Sequence, residues 1–325
     1  MANIKQIARQ AGVSVATVSR VLNGHPYVSE AKRRAVEAAV EALNYAPNAN
    51  AIHLIKGKTQ MIGVLLPFVN HAYFATLVEG IGIGALQHQY RLLLCQTNYE
   101  EAKELEVLDM LKMKQLDGLI VCSKASSWDK IQSYAAYGPI VACDDAGDRP
   151  ISSVYIDHYR CFELGMRYLI GKGHRRIGYC QSRPDSNSGL QRRRAYENLL
   201  GELGEPLREE WMLSDCVHME DGAEVIDRLL QLRERPTALL VSGDTVAGGV
   251  LAEAERRGIR VPEELAIVGL DNQPIARVLG ITTIDNQVGS MGQVAVRLLH
   301  DRISGRAGQF ERLELSYRLL ERQTV

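Results

Sequence analysis

The residues with the clearest chemical potential lie in a short amphipathic stretch near the start of the chain, Val15–Leu22. At helical spacing Val18, Val21 and Leu22 share one side, and Arg20 lies on the opposite side with Ala16, Ser19 and Asn23. An arginine can donate two parallel hydrogen bonds to the edge of a guanine, and hydroxyl groups can bind phosphate oxygens. The neighbouring side chains are small enough to enter a DNA major groove about 12 Å wide. The stretch is therefore typical of a helix that reads DNA, with a solvated face of a small helical core as the alternative.

Residue patterns for catalysis or metal binding are not found elsewhere in the sequence. The eight histidines form no H-E-x-x-H cluster, and neither a G-x-S-x-G elbow nor a G-x-x-x-x-G-K-[ST] loop occurs. Gly80, Gly82 and Gly84 lack the spacing of a dinucleotide-binding loop and lie inside a helical pattern. The six cysteines occur singly, which favours free buried thiols over disulfides or a metal site. We therefore expect neither an enzyme nor a bound metal or cofactor.

The first 43 residues contain three helical patterns. Asn3 and Gln6 have capping-box spacing at the first, and Gly12 can end it in a left-handed conformation. Ser14 is predicted to cap the second helix, and Ser29 the third. The inward face of the third helix is predicted to comprise Ala31, Ala35, Val36, Ala39, Val40 and Leu43. Two short helices joined by a glycine turn and followed by a third packing helix predict an all-α helix-turn-helix head.

The formal net charge of −1 is unevenly distributed along the chain. Residues 1–60 carry eight basic and three acidic side chains, a net charge of +5, whereas the remainder carries −6. A basic segment on an acidic body favours a polyanionic partner for that segment, although many segments of this charge are simply solvated.

Composition also bounds the class of protein. At 46% hydrophobic and 24% charged residues, the sequence is that of a globular protein. Its apolar runs are far shorter than the roughly 18 residues that a membrane helix needs, and Met1–Gln10 has no apolar signal core. We therefore expect a cytoplasmic protein.

Residues 44–60 have the composition of a linker that orders on contact with a partner. Pro47 separates the third helix from Asn48–Ile55, whose apolar side is short. Because an isolated helix below about 12–15 residues is marginal in water, this segment is expected to order only when a partner supplies contacts.

From Met61 onward, short apolar runs alternate with amphipathic helical stretches. The predicted strands are Ile62–Leu66, Leu92–Cys95, Leu119–Cys122, Ile140–Cys143, Val154–Ile156, Ile177–Cys180, Ala238–Val241, Ala266–Leu270 and Thr282–Ile284. The predicted helices include Glu101–Lys114, Tyr159–Lys172, Leu190–Leu203, Gly222–Leu230 and Thr245–Arg257. Such alternation predicts an α/β core with two doubly wound parallel sheets. Ligands of such sheets bind beyond the carboxyl ends of the strands, where several aspartates occur here.

The segments Ile4–Ala8 and Ala11–Asn23 closely resemble the DNA-binding head of the LacI/GalR family of transcription regulators. The resemblance implies that the second helix reads an operator, with base specificity at Val15, Ala16 and Arg20. The DNA-contacting residues that it implies for the head are Ser14, Val15, Ala16, Thr17, Ser19, Arg20 and Asn23.

The linker resembles the hinge helix of the same family, on the residues Tyr45–Asn48, Ala51 and Leu54. In that family paired hinge helices enter the minor groove, and a leucine wedges between base steps and kinks the duplex. The resemblance therefore implies DNA contacts at Asn48, Ala51 and Leu54, with Leu54 as the wedge.

The rest of the chain resembles the effector-binding core of the family, which has the periplasmic-binding-protein type I fold. Matching segments include Gly173–Gly178 and Gly269–Asn272. The family's ligand positions fall here on Tyr73, Phe74, Asp157, Arg192, Asp244 and Asp271. The chain departs from the family at Phe68, where many members have an aspartate that accepts ligand hydroxyl groups. It departs again at Cys216, where an aromatic residue is expected, so the implied pocket is less sugar-like than usual.

The resemblance implies a helix-turn-helix domain at 1–46, a hinge at 47–60, and an effector-binding and dimerisation core at 61–325. The N-subdomain is expected at about 61–157 and 288–316, and the C-subdomain at about 158–287 and 317–325. A homodimer would place two heads on a double-stranded, palindromic operator as a repressor. Its affinity would be controlled by a sugar, purine or phosphorylated metabolite in the cleft between the subdomains.

Two segments, Gly24–Glu30 and Tyr137–Pro139, resemble the DegA-like branch of the family in particular. A binding protein for transport and an enzyme with a fused head are the alternatives from other functional classes. The first does not account for the head, and no catalytic pattern supports the second.

Overall fold

The computed structural model describes residues 2–45 and 57–325. The chain divides into two compact units, one ending at Thr59 and the other running from Gln60 to Val325. We call the first unit the head and the second unit the core.

The head contains three helices, α1 (Ile4–Gln10), α2 (Val15–Leu22) and α3 (Glu30–Ala42). The Asn3 side chain accepts a hydrogen bond from the Gln6 backbone, and the Gln6 side chain accepts one from the Asn3 backbone, which confirms the predicted capping box. The Ser14 hydroxyl accepts a hydrogen bond from the Thr17 backbone at 3.2 Å, which confirms the predicted cap of α2. Local sequence therefore defines where both short helices begin.

The three helices of the head share one apolar core, in which Ile7, Val18 and Val36 are completely buried. Two predictions for α3 are wrong. Ser29 occupies the N-cap position, but its side chain makes no capping hydrogen bond. Ala31 is exposed, because the fully buried positions of α3 begin more than a turn later, at Val36.

The core contains two six-stranded sheets. The strands of the first are β1 (Met61–Leu66), β2 (Arg91–Gln96), β3 (Gly118–Val121), β4 (Ile140–Ala142), β5 (Ser152–Tyr155) and β11 (Arg312–Glu314). They lie in the order β11-β5-β4-β3-β1-β2 and are all parallel. The helices α4 (Ala72–Gln87) and α12 (Val288–Ile303) pack on one face, and α5 (Glu101–Lys112) and α6 (Trp128–Ser133) on the other.

The second sheet contains β6 (Ile177–Cys180), β7 (Met212–Leu213), β8 (Ala238–Val241), β9 (Ala266–Leu270), β10 (Thr282–Asp285) and β12 (Arg318–Leu320). Their order is β12-β10-β9-β8-β6-β7, and all neighbours are parallel except β12 and β10. The helices α7 (His158–Gly171) and α8 (Asn187–Leu203) cover one face, while α9 (Asp221–Gln231) and α10 (Asp244–Arg256) cover the other. The short α11 (Pro274–Val278) follows β9.

The nine predicted strands and the five predicted helices all form, with ends that differ by up to three residues. The sequence did not predict β7, β11 and β12, which have only two or three residues each. The last two are also half-exposed and bear charged residues, so they lack the apolar run that marks a buried strand. The antiparallel pairing of β12 corrects the expectation of wholly parallel sheets.

Gly80, Gly82 and Gly84, which the sequence predicts to be helical, lie in α4, and Gly80 allows close packing against α12. A Cβ on Gly80 would lie 2.0 Å from the Gly289 carbonyl oxygen, and a Cβ on Gly292 would lie 2.4 Å from the Leu77 carbonyl oxygen. α4 and α12 therefore meet in backbone contact, and this fixes the amino end of α4 at the edge of the sheet.

The six cysteines are free thiols, of which Cys95 is half-exposed and the other five are buried. Among the described helices, none combines the length and apolar character needed to cross a bilayer.

Candidate DNA interface and effector cleft

The outward face of α2 carries the predicted base-reading residues. Val15, Ala16 and Arg20 are exposed, and the Arg20 guanidinium forms no ion pair or hydrogen bond with any residue of 2–45 or 57–325. Such a free guanidinium on a helix with small neighbours is available to bind a base edge. The arrangement is suited to insertion of α2 into a major groove.

The other predicted contacts of the head also help to shape α2. The Thr17 hydroxyl lies 3.0 Å from that of Ser14, at the start of the helix. The Asn23 amide donates a hydrogen bond to the Ser19 carbonyl oxygen at 2.8 Å, at its end. The hinge residues Asn48, Ala51 and Leu54 lie outside the described residues.

The core brings Arg192 and Asp271 together at the carboxyl ends of the two sheets. Arg192 is half-buried, and its side chain lines a small cavity with His158 and Cys161. Burial lowers the pKa of Arg192, and the Asp271 carboxylate is the strongest of the nearby charges that oppose this shift. The Arg192 guanidinium nevertheless has no hydrogen-bond acceptor among residues 2–45 and 57–325.

The Asp271 side chain is held in place by two hydrogen bonds. Its carboxylate accepts hydrogen bonds from the Asn286 amide at 2.7 Å and from the Gln273 amide at 3.3 Å. Its backbone has a φ of +94°, a conformation that L residues rarely adopt and that is typical of strained functional positions. Burial raises the pKa of Asp271 to about 6, although Asn286 and Arg192 oppose the shift.

Two buried polar atoms beside these residues have no hydrogen-bond partner among the described residues. They are the Nδ1 atom of His158, which lines the cavity with Arg192, and the Oδ1 atom of Asn286, whose amide nitrogen binds Asp271. Burial lowers the pKa of His158 to about 3, with Arg192 as the second cause, so its imidazole is neutral. Since buried polar groups are almost always paired, this concentration marks a place for a polar molecule.

Tyr73 and Phe74, in the first turn of α4, pack edge to face with ring centroids 5.2 Å apart. The Tyr73 hydroxyl points towards the Met291 sulfur at 3.9 Å. The pKa of Tyr73 is raised well above its usual value. Burial is the largest cause, and the negative charge of Asp271 is the second. Tyr73 therefore lies near the Arg192–Asp271 pair, whereas Phe74 is buried in the core of the first sheet.

The other two predicted effector residues are engaged by the protein. Asp157 accepts a hydrogen bond from the Arg160 backbone at 2.9 Å and caps α7. Asp244 accepts hydrogen bonds from the Thr283 hydroxyl at 2.6 Å and from the Gln273 backbone at 2.7 Å. Burial raises the pKa of Asp244 to about 8. Both carboxylates therefore act as structural links in this conformation.

Asp144, which was not among the predicted effector residues, lies across the cleft. It follows β4 of the first sheet, and its carboxylate accepts a hydrogen bond from the Asn187 amide of α8 at 3.3 Å. Burial raises the pKa of Asp144, and Lys124 is among the groups that oppose the shift. Its position just beyond the end of a strand was the available sequence signal.

The head with its exposed reading helix, joined to an α/β core with unpaired polar groups in a cleft, defines a ligand-responsive DNA-binding regulator. Comparison with known proteins agrees with this class. Residues 3–48 match the bacterial regulatory proteins of the lacI family. Residues 59–309 match the family of periplasmic binding proteins and sugar binding domains of the LacI family. The chain belongs to the LacI family, as its sequence predicted, and its relatives are transcription regulators.

Three similar proteins illustrate the relationship. The HTH-type transcriptional regulator YkvZ of Bacillus subtilis is 45% identical over the whole of both chains. The HTH-type transcriptional repressor PurR of Mannheimia succiniciproducens is 33% identical over 100% of this chain and 99% of its own. The structure of a LacI family regulator from Lactobacillus casei with bound sucrose matches 82% of this chain and 99% of its own, with a TM-score of 0.76 and 26% identity.

Proposed function

We propose that this regulator is a homodimeric repressor that binds a palindromic operator through two heads. Its operator affinity changes when a small molecule binds in the cleft of the core. The observation that carries the ligand half of the proposal is the half-buried Arg192 guanidinium, which lines the cavity and has no acceptor among the described residues.

A ligand that displaces water from the Arg192 guanidinium must supply acceptors, because burying a charged donor without one is costly. A ligand with several acceptor oxygens would satisfy Arg192, and its hydroxyl groups could donate to Asp271. Sugars, purines and phosphorylated metabolites all offer such acceptors. The bound sucrose of the Lactobacillus casei protein supports a ligand in this cleft.

The DNA half of the proposal assigns base reading to Val15, Ala16 and Arg20. Ser14, Thr17, Ser19 and Asn23 would then position α2 on the phosphates. We extend the proposal to minor-groove contacts by Asn48, Ala51 and Leu54 of the hinge. The name of the PurR relative, a transcriptional repressor, supports repression over activation.

The same proposal assigns residues 1–46 to the DNA-binding domain, 47–60 to the hinge and 61–325 to the core. Within the core, the N-subdomain comprises about 61–157 and 288–316, and the C-subdomain 158–287 and 317–325. The composition of the two sheets supports this division, since β11 returns to the first sheet and β12 to the second.

A second copy of the chain is proposed to cover exposed apolar residues in both halves of the core. Leu86 at the end of α4 is 80% exposed, and Leu94 of the edge strand β2 is 43% exposed. In the second half Val278 is 81% exposed. Leu86→Asp with Val278→Asp is expected to yield monomers in analytical ultracentrifugation. Met113→Asp, at an exposed site after α5, is expected to leave the dimer intact.

A gel-shift titration of the intact protein on its own upstream DNA tests the proposal. A sequence-selective, salt-sensitive shift is expected. Arg20→Ala is expected to weaken it, whereas Arg34→Ala removes one charge from the exposed side of α3, where Arg34 pairs with Glu30, and is expected to weaken it less. Equal binding to the upstream DNA and to a scrambled duplex would refute sequence-specific operator binding.

A further inference from the structure

The two halves of the core also touch at the mouth of the cleft, through Arg183 and Tyr99. Arg183 follows β6 of the second sheet, and Tyr99 follows β2 of the first. The guanidinium carbon of Arg183 lies 3.7 Å from the centre of the Tyr99 ring, and the guanidinium donates a hydrogen bond to the Lys124 carbonyl oxygen at 3.4 Å. A cation over a tyrosine face at this distance is an attractive contact that joins the two halves.

Tyr99 is held in place by its own half of the core. Its hydroxyl lies 3.1 Å from the Ser123 hydroxyl. The Phe68 ring packs edge-on against it, with centroids 5.7 Å apart and planes at 83°. The backbone of Tyr99 has a φ of +60°, which is rare for a bulky residue and persists only where the surroundings impose it. The ring is therefore fixed in position before Arg183 meets it.

Arg183 is held equally firmly by the other half. The Ser186 hydroxyl donates a hydrogen bond to the Arg183 carbonyl oxygen at 2.8 Å. The loop also packs against α8 at Gly189, where a Cβ would lie 2.2 Å from that same oxygen. Any larger residue at Gly189 would displace the loop. The backbone contact with Gly189 therefore fixes the position of the Arg183 backbone, from which the guanidinium extends.

Phe68 connects this contact to the departure from the family pattern. Many members of the family have an aspartate at this position, and here a phenylalanine supports Tyr99 instead. The first half of the core therefore presents an aromatic pair at the mouth of the cleft. Arg183 of the second half lies on the Tyr99 ring, so the three side chains form one contiguous cluster.

We infer that Arg183 is a positioning residue that holds the cleft closed by stacking on Tyr99, while Arg192 at the floor of the cleft binds the ligand. Because the Tyr99 ring and the Arg183 backbone are fixed within their own halves, only the Arg183 side chain must be ordered when the contact forms. The population of the closed core then depends on Arg183 as well as on the ligand. The regulatory meaning of this contact rests on the proposed function.

Cys161 provides a native reporter of opening. It is 2% exposed and packs in the apolar cluster that the first sheet and its helices form, so an alkylating reagent reaches it when the halves separate. Cys180 lies at the end of β6, is completely buried and reports unfolding of the second half. The experiment uses the full-length protein, N-ethylmaleimide as the probe, and peptide mass spectrometry to follow both cysteines. It requires neither DNA nor effector, so failure of the operator assay would leave its outcome intact.

In Arg183→Gln and Tyr99→Leu, Cys161 is expected to react roughly three- to tenfold faster, with Cys180 unchanged. Arg183→Lys, which keeps the cation, is expected to restore part of the protection, and Tyr99→Phe most of it. Arg193→Gln is the matched control, since Arg193 pairs with Glu197 and Glu209 within the second half. An unchanged Cys161 rate in Arg183→Gln would overturn the inference. An equal increase at Cys161 and Cys180 would also overturn it, because the contact would then stabilise the fold rather than closure.

Discussion

The head and the core present their most important cations in opposite ways. Arg20 is exposed on a helix with small neighbours, and its guanidinium has no partner among the described residues. Arg192 is half-buried close to Asp271, Tyr73 and His158, yet its guanidinium too lacks a hydrogen-bond acceptor among the described residues. Each cation is therefore available for an external partner, but only Arg20 lies on an open surface.

The difference follows from the size of the expected partners. DNA is large and brings its own groove, so the protein needs a protruding helix with small side chains. A small molecule has no such surface, and the protein must surround it to gain enough contacts. Under the proposed function, closure of the core around a ligand is the step that changes operator affinity.

The largest effect is expected for a substitution of Arg192 in the cleft. Arg192→Met keeps most of the side-chain volume but removes the donors. Compounds that raise the melting temperature of the wild-type protein, in a screen of sugars, purines and phosphorylated metabolites, are expected to have no effect on this variant. Arg193→Met, next along α8, is the control and keeps the ligand response. An unchanged ligand-induced shift in Arg192→Met would remove Arg192 from the site.

The next prediction concerns Asp244, whose carboxyl group is buried in the core. The pKa of Asp244 is raised to about 8 in the folded protein, from an ordinary value of 3.8. Above the ordinary value the unfolded chain loses this proton while the folded protein keeps it. This contribution to the free energy of unfolding therefore falls as pH rises towards 8, by up to about 1.4 kcal/mol per pH unit.

Urea unfolding at pH 5, 6, 7 and 8 measures this contribution as the difference between the wild-type protein and Asp244→Asn, which cannot ionise. The stability of the wild-type protein relative to the variant is expected to decrease across the series. A difference that is constant with pH would show that Asp244 is ionised throughout.

A smaller effect is expected at the exposed cation. Arg20→Ala is expected to cost about 1–3 kcal/mol of discrimination between the operator and a duplex altered at the contacted base pair. Competition gel shifts with single-base operator variants measure it. If Arg20→Ala weakens binding to all duplexes equally, the guanidinium binds phosphate rather than a base.

The smallest effect tests the local structure that presents α2. Ser14→Ala removes the hydrogen bond to the Thr17 backbone and is expected to destabilise the start of α2 by about 1 kcal/mol. Hydrogen–deuterium exchange of α2 amides in the intact protein reports this change. Ser29→Ala is the matched control, because Ser29 occupies an N-cap without a capping bond, and it is expected to leave exchange in α3 unchanged.

The fold could be predicted in most of its elements, because the head depends on local signals and the central strands are continuous apolar runs. Asn3, Gln6 and Ser14 define helix starts from a few neighbouring residues. β11 and β12 could not be predicted, since these short, charged strands form only where the sheets already offer an edge.

The cleft was less predictable than the fold. The sequence placed Arg192, Asp271 and Tyr73 at one site, and the structure brings them close together. It could not distinguish them from Asp157 and Asp244, since an aspartate after a strand has the same pattern whether it caps a helix or faces a ligand. The pairing of Arg183 with Tyr99 joins loops 84 residues apart in the chain, by their positions, and no local pattern indicates it.

The central claim is that the cleft and the head are coupled, and one measurement tests it directly. The operator affinity of the intact protein is measured by fluorescence anisotropy, with and without a compound that stabilises the wild-type protein but not Arg192→Met. We predict that the compound changes operator affinity roughly 5- to 150-fold in the wild-type protein and leaves Arg192→Met unaffected. An operator affinity that is the same with and without the bound compound would contradict the account.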